Sequence, residues 1–138
     1  MGERRKSREY ALQVLYSMDI SNMSVDQALR LFWHEHAEAN SDVAAFAEVL
    51  VKGTAAFISD IDSIISSNSA NWRISRMAAV DRNILRMAIF ELVHLKDIPK
   101  KVTINEAIEI AKTFGTEDSK SFVNGVLDKI SKGITDKE

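Results

Sequence analysis

The fold of this chain is decided by residues 71–130, which read NWRISRMAAVDRNILRMAIFELVHLKDIPKKVTINEAIEIAKTFGTEDSKSFVNGVLDKI. From about Val80 to Leu95, apolar residues recur at the three- and four-residue steps that mark one face of a helix. Pro99 stops this helix, because proline restricts the residue before it and cannot continue the hydrogen-bond ladder. The stretch therefore predicts a long, largely buried helix that ends in a tight connection.

Two further helices are predicted after this proline. Thr103, with Glu106 three residues later, forms a capping box that starts a helix, and Gly115 suits a left-handed C-cap at its end. A last helix then starts at residues 116–119, with apolar residues at helical spacing up to Ile130. These elements are all helical, and no segment alternates as a strand would.

The rest of the chain is also predicted to be helical. The whole 138-residue chain is interpreted as one all-α domain of seven helices, with helical halves of about 1–66 and 72–134. Gly53 lies inside the predicted helix that begins at Ser41, and it should lower the local stability of that helix by about 1 kcal/mol relative to alanine. The remaining predicted segments are a helix over Lys6–Asp19, a helix with a Ser24 and Gln27 capping box, a long helix from Ser41 to about Ile64, a polar boundary at Ser66–Asn71 and a short helix at Ile74–Met77.

Composition narrows the class of protein. The chain is 46% hydrophobic and 28% charged, which is typical of a folded domain and not of a disordered one. It contains no cysteine, so disulfides and thiolate metal sites are excluded and a reducing compartment is favoured. No signal peptide and no bilayer-spanning run is found. We therefore expect a cytoplasmic protein that does not engage a membrane.

No catalytic motif stands out. His34 and His36 are two residues apart, whereas histidines that share a metal on a helix are four apart. There is no glycine-rich phosphate loop, nucleophile elbow or thiol. We expect neither enzyme activity nor a metal site at these histidines.

The start of the first helix is unusually basic, at Arg4, Arg5, Lys6 and Arg8. Cations at a helix N-terminus oppose the helix dipole, so this placement lowers stability unless something compensates. Either these side chains form a solvated helix start or they bind an anionic ligand such as RNA. The residues themselves leave both interpretations open.

The last helix carries a second set of candidate residues. Phe122 lies beside its apolar stripe, so it is either an edge-of-core aromatic or a platform on which an unpaired base stacks. Lys120 and Asn124 flank it and suit contacts to phosphate and base edges. The Asn124–Gly125 pair within a helical pattern indicates close approach of another backbone. We expect at least one of Arg82 and Arg86 to form an ion pair with an acid such as Asp81 or Glu91.

The chain resembles the NusB family of bacterial transcription antitermination factors. The segments that carry the resemblance occur in order along the chain, mostly in its C-terminal half. They are Arg4-Arg5, Arg8-Glu9, Ala11, Leu15-Tyr16, Asn71-Trp-Arg73, Val80-Asp-Arg-Asn-Ile-Leu-Arg86, Phe90-Glu-Leu92, Ile98-Pro99, Ile104-Asn-Glu-Ala107, Ala111-Lys112, Phe114-Gly115 and Phe122-Val-Asn-Gly-Val-Leu-Asp128.

The resemblance implies a seven-helix bundle of two packed helical halves, without a cofactor. It implies binding of single-stranded boxA RNA in nascent ribosomal RNA transcripts together with the ribosomal protein NusE. The pair would join an RNA polymerase antitermination complex. It also implies that a homodimer could occlude the RNA face. The alternative, from another class, is a protein–protein scaffold whose basic start is incidental.

The resemblance also assigns roles to individual residues. It places the RNA-contacting motif at Arg4, Arg5, Lys6 and Arg8, a second RNA surface at Lys120, Phe122 and Asn124 with Asp118 at its edge, and positions near the NusE and RNA surfaces at Tyr16 and Asp81.

Overall fold

The computed structural model describes residues 2–69 and 71–134, and within them it is all-α, as predicted. It contains seven α-helices and a short 3₁₀ turn at Ile74–Arg76, with no strand in the described part of the chain. The helices are α1 (Gly2–Ser21), α2 (Val25–Glu35), α3 (Ser41–Ala56), α4 (Ile58–Asn68), α5 (Ala79–His94), α6 (Lys100–Phe114) and α7 (Ser119–Lys132).

The chain divides between Ala56 and Phe57 into two compact units, Met1–Ala56 and Phe57–Glu138. We call them the N-terminal and C-terminal units. The boundary predicted from the sequence lies later, at Ser66–Asn71. Polar side chains there bond back to carbonyls one turn earlier, Asn68 to Ile64 among them, so the stretch extends a helix to Asn68.

The long third helix predicted from Ser41 to Ile64 is two helices, and they break at Phe57 and not at Gly53. Phe57 leaves helical geometry, with φ −110° and ψ 22°. Its ring stacks on His94 of α5, with ring centroids 4.0 Å apart. This long-range contact, which periodicity along the chain does not show, accompanies the break.

The N-terminal unit is held together by α1 packing against α3. Tyr10, Val43 and Ala47 form a buried cluster that Phe32 and Trp33 of α2 cover. The buried hydroxyl of Ser7 lies 2.8 Å from the Val43 carbonyl oxygen and ties the first turns of α1 to α3. At the start of α2, Ser24 accepts a hydrogen bond from the Gln27 amide at 3.2 Å, which confirms the predicted cap.

The C-terminal unit is built around α5, whose Ile84, Leu85 and Ile89 are fully buried. α5 packs against α4, α6 and α7. Arg86 pairs with Asp62 of α4 through two hydrogen bonds, of 2.8 and 3.0 Å. The predicted ion pairing of Arg86 is therefore confirmed, but this partner comes from another helix.

The connections around α6 differ from their predicted chemistry. α6 begins at Lys100 with Pro99 at its N-cap, so Thr103 lies inside the helix and does not cap it. The buried Thr103 hydroxyl instead donates to the buried Glu91 carboxylate at 3.0 Å. Gly115 does end α6, but its φ is −94° and not left-handed. Glycine is required there because a Cβ atom would overlap Ser119 and lie 2.8 Å from the Ala111 carbonyl oxygen.

Candidate nucleic-acid interface

The basic start of α1 is organised by aromatic rings of its own unit. The Arg4 guanidinium lies over the Phe46 ring, 3.9 Å from its centroid, and the Lys6 ammonium lies 5.0 Å from the centroid of Tyr10. Both basic side chains are exposed, and Arg5 is half-buried. Cation–π contacts fix the position of a charge without neutralising it, so this surface stays attractive to anions.

Arg8 occupies a different environment from its neighbours. It is only 3% exposed, and its guanidinium lies 5.7 Å from the centroid of Phe46. A guanidinium this buried is not presented to a phosphate on the surface. Arg8 therefore supports the helix start that carries Arg4 and Lys6.

In the C-terminal unit, a turn between α4 and α5 presents an exposed tryptophan. The buried Ser69 hydroxyl lies 2.7 Å from the Ile65 carbonyl oxygen and 3.2 Å from that of Trp72. Arg82 donates to the carbonyl oxygens of Ile74 and Met77, at 3.0 and 3.1 Å, a role in holding the turn that the sequence did not indicate. These bonds fix the turn while Trp72 remains 53% exposed.

Trp72 and the half-buried Phe122 of α7 meet edge-on, with centroids 6.2 Å apart and planes at 75°. They line an apolar hollow of about 410 Å³, which we call the Trp72 hollow. Asp81 of α5 lines it too and is 9% exposed. Its Oδ1 atom has no hydrogen-bond partner among the described residues. The remaining lining residues are Arg76, Met77, Ala78 and Asp118.

The structure brings three of the predicted site residues together at this hollow, namely Asp81, Asp118 and Phe122. Asp118 precedes α7 as its N-cap residue, but its side chain makes no capping bond. Lys120 and Asn124 are exposed on the same helix. Asp81 thus lies with the proposed RNA residues of its unit.

Tyr16 lies in the other unit, on the exposed side of α1, and is 40% exposed. Ile20, one turn later on the same side of α1, is also exposed. The two residues form an apolar pair on the helix surface. This pair is separate from the buried cluster around Tyr10.

Sequence reasoning missed three residues of the site: Trp72, Arg76 and Gly125. Trp72 stands between Asn71 and Arg73, and an aromatic residue among polar ones is a usable indication of a binding surface. Gly125 was interpreted as a point of close backbone approach. An added Cβ there would meet nothing within 4 Å, so no other segment among residues 2–69 and 71–134 approaches it closely.

Residues 2–69 and 71–134 contain neither a cluster of metal ligands nor a membrane-spanning helix. No group of three or more histidine, aspartate or glutamate side chains is placed to hold a metal ion in that part of the chain. Within the same residues, no helix is long and apolar enough to cross a membrane.

The chain is all-helical and combines an aromatic hollow, an adjacent cation and a basic helix start. This combination is typical of a nucleic-acid-binding protein. The chain belongs to the NusB family, whose model matches residues 5–132. Among curated relatives, the transcription antitermination protein NusB of Geobacter sulfurreducens is 50% identical, covering 99% of each chain. The corresponding protein of Syntrophus aciditrophicus is 49% identical over 94% of this chain and 80% of its own length.

Solved structures agree with this assignment. The Thermotoga maritima NusB structure superposes with a TM-score of 0.87 at 39% identity, covering 95% of this chain and 92% of that one. A chain in a structure of the antitermination factors NusB and NusE with double-stranded RNA gives a TM-score of 0.87 at 31% identity, covering 96% of this chain and 98% of that one.

Proposed function

We propose that this protein is a transcription antitermination factor that binds boxA RNA of nascent ribosomal RNA transcripts together with NusE. The observation that carries the proposal is the family match over residues 5–132. The Trp72 hollow adds a physical basis, because unpaired bases stack on accessible aromatic rings. The proposal is of an RNA-binding adaptor and includes no catalytic step.

The basic start of α1 supplies affinity in this proposal. Arg4, Arg5 and Lys6 contact phosphates, while the buried Arg8 holds the helix start in place. On the C-terminal unit, Phe122 stacks on a base. Lys120 and Asn124 contact phosphate and base edges, and Asp118 lies at the rim. The two units act together as one RNA-binding domain.

NusE is the proposed protein partner. A family member 31% identical to this chain has been solved with NusE and double-stranded RNA. The exposed Tyr16, with Ile20 beside it, suits a protein contact, because an apolar pair on a helix surface gains stability when covered. We assign Tyr16 to the NusE surface and propose that Asp81 lies where the NusE and RNA surfaces adjoin.

In the cell, the protein and NusE would join the RNA polymerase antitermination complex, which places them in the cytoplasm. In the absence of RNA, a homodimer that covers the basic start of α1 would store the protein in an inactive form. Light scattering with and without boxA RNA tests this form. A lower mass with RNA supports the dimer, and an equal mass in both conditions rejects it.

The principal test is a filter-binding titration of boxA RNA and a scrambled RNA of equal length, each with and without NusE. We expect NusE to strengthen binding of boxA and not of the scrambled RNA. If neither RNA binds in any condition, the protein is a protein–protein scaffold and the proposed RNA function is wrong.

A further inference from the structure

A second hollow in the C-terminal unit is lined by polar and basic side chains. It has a volume of about 430 Å³, and we call it the arginine hollow. Its lining residues are Ser66, Ser69, Asn71, Trp72, Arg73 and Arg76. We propose that the guanidinium groups of Arg73 and Arg76 bind a terminal phosphate there, either inorganic phosphate or the phosphate of a monoester. This site goes beyond the proposed RNA function and does not depend on it.

The 3₁₀ turn at Ile74–Arg76 brings the two arginines to the same hollow. The Arg76 amide donates to the Arg73 carbonyl oxygen at 2.9 Å, which closes this turn. Side chains three residues apart lie nearly above one another in such a turn, and both arginines line the hollow. Arg82 holds the same turn through its bonds to the carbonyl oxygens of Ile74 and Met77. A turn held in this way loses less freedom when a ligand binds.

The charges of the two arginines are not neutralised within residues 2–69 and 71–134. Both side chains are exposed, and neither forms a hydrogen bond or an ion pair with a described residue. The lining of the arginine hollow includes no acid. Asp81 and Asp118 line the neighbouring Trp72 hollow but do not pair with Arg76 in this part of the chain. Two unpaired positive charges at one hollow favour an anion as the ligand.

Ser66 and Asn71 add neutral hydrogen-bond donors to the arginine hollow. Both side chains are exposed, and neither is hydrogen-bonded to another described residue. A serine hydroxyl and an asparagine amide can each donate to a phosphate oxygen. The Ser69 hydroxyl is not available in this way, because it already lies within bonding distance of two carbonyl oxygens. The donor set of the hollow therefore consists of two cations and two neutral groups.

The charge of this donor set favours a terminal phosphate over an RNA backbone phosphate. Arginine is always protonated in proteins, so Arg73 and Arg76 together present two positive charges. A phosphate monoester carries a charge of about −1.5 to −2 at pH 7 and has three free acceptor oxygens. A phosphodiester carries a single negative charge. The planar fork of an arginine also binds two oxygens of one phosphate, which suits a group with three of them.

The test is an NMR titration of the isotope-labelled protein at constant ionic strength. Inorganic phosphate is the first probe, and dimethyl phosphate is the second, as a diester with one negative charge. We expect inorganic phosphate to shift the backbone amide and Nε–Hε signals of Arg73 and Arg76 along saturable curves. The affinity should be millimolar, because exposed charges are screened by salt. Dimethyl phosphate should bind about tenfold more weakly, since it brings less charge.

Two single substitutions assign the binding to the arginine hollow. Arg73→Gln and Arg76→Gln should each weaken the binding of inorganic phosphate by about tenfold, the loss expected for a charge-assisted hydrogen bond. Arg30→Gln is the matched control, because Arg30 is an exposed arginine of α2 and its replacement removes the same charge. This control should leave the phosphate titration at the hollow unchanged.

Three results would overturn the inference. If phosphate shifts signals only at the basic start of α1, it binds there and not in the hollow. Equal affinities for the two probes would show that a backbone phosphate fits as well, and the assignment to a terminal phosphate would be wrong. The third result is that neither probe shifts the arginine signals while Arg73→Gln lowers the thermal unfolding midpoint.

In that third case the arginines would act only on the C-terminal end of α4, whose last turn contains no basic residue. None of these measurements uses boxA RNA or NusE. The phosphate site and the proposed RNA function can therefore fail independently of each other.

Discussion

Trp72 and Phe122 touch edge-to-face, with ring centroids 6.2 Å apart, although one precedes α5 and the other lies in α7. Their planes stand at 75° to each other, so the two rings are nearly perpendicular. A base stacked on one ring would contact the edge of the other. This geometry makes the two residues a coupled unit rather than two independent contacts.

The coupling can be measured by a double-mutant cycle on boxA binding. Trp72→Ala and Phe122→Ala should each weaken binding by about 1–3 kcal/mol, the range found for base–aromatic stacking. The double variant should lose less binding free energy than the sum of the two single losses, because either truncation opens the same hollow. Val102→Ala is the control, because Val102 is an exposed apolar residue elsewhere in the unit. Full additivity would show that the rings bind separate nucleotides.

The basic start of α1 should control the salt dependence of RNA binding. Replacing Arg4, Arg5 and Lys6 together by alanine should make the log–log salt slope shallower by about 0.7 for each phosphate that the protein no longer neutralises. The control variant replaces Arg30, Lys96 and Lys101 by alanine, because these residues are exposed and their replacement removes the same total charge. An unchanged slope in the first variant would show that the helix start does not touch RNA.

Arg8 should behave differently from its basic neighbours. Because it is buried, Arg8→Ala should lower the thermal unfolding midpoint more than Arg4→Ala does, by removing packing in the N-terminal unit. Differential scanning calorimetry of the two variants compares them directly. Equal midpoints, together with a loss of RNA affinity only in Arg8→Ala, would place Arg8 in the RNA interface.

Replacing either of two glycines near α7 by alanine should change the stability of the protein, in opposite directions for the two positions. Gly115→Ala should destabilise the protein by about 1–3 kcal/mol, because the added Cβ meets Ser119 and the Ala111 carbonyl. Gly125→Ala should stabilise it by about 0.5–1 kcal/mol, since the site is helical and open. Urea unfolding measures both changes. If Gly125 admits RNA, its variant should also bind boxA RNA less tightly despite its greater stability.

The buried hydrogen bond from Thr103 to Glu91 should contribute more to stability than the exposed bond from Thr113 to the Glu109 carbonyl oxygen. Thr103→Val keeps the shape but removes the hydroxyl that donates to the buried Glu91 carboxylate. We expect a loss of about 1–3 kcal/mol in the free energy of unfolding. Thr113→Val, at an exposed position of α6, is the control and should change stability little. Similar effects of the two substitutions would contradict a specific role for the buried bond.

The sequence predicted the α-helical class and much of the helical layout, because helix periodicity and breakers act over a few neighbouring residues. α5 ends before Pro99, as expected, but the next helix begins directly after Pro99 and not at Thr103. The sequence also pointed to the surface around Phe122, through an aromatic residue beside the apolar stripe. It did not predict the break at Phe57, which accompanies stacking on a distant histidine.

By itself, then, the sequence determined the α-helical class, most of the helices, the family and the charged start of α1. Only the tertiary structure decided that Arg8 is buried, that Gly115 is required by Ser119, and that Trp72 joins Asp81 and Phe122 around one hollow. The reason is physical: a helix is specified by residues within one or two turns, whereas a site depends on which distant side chains meet when helices pack.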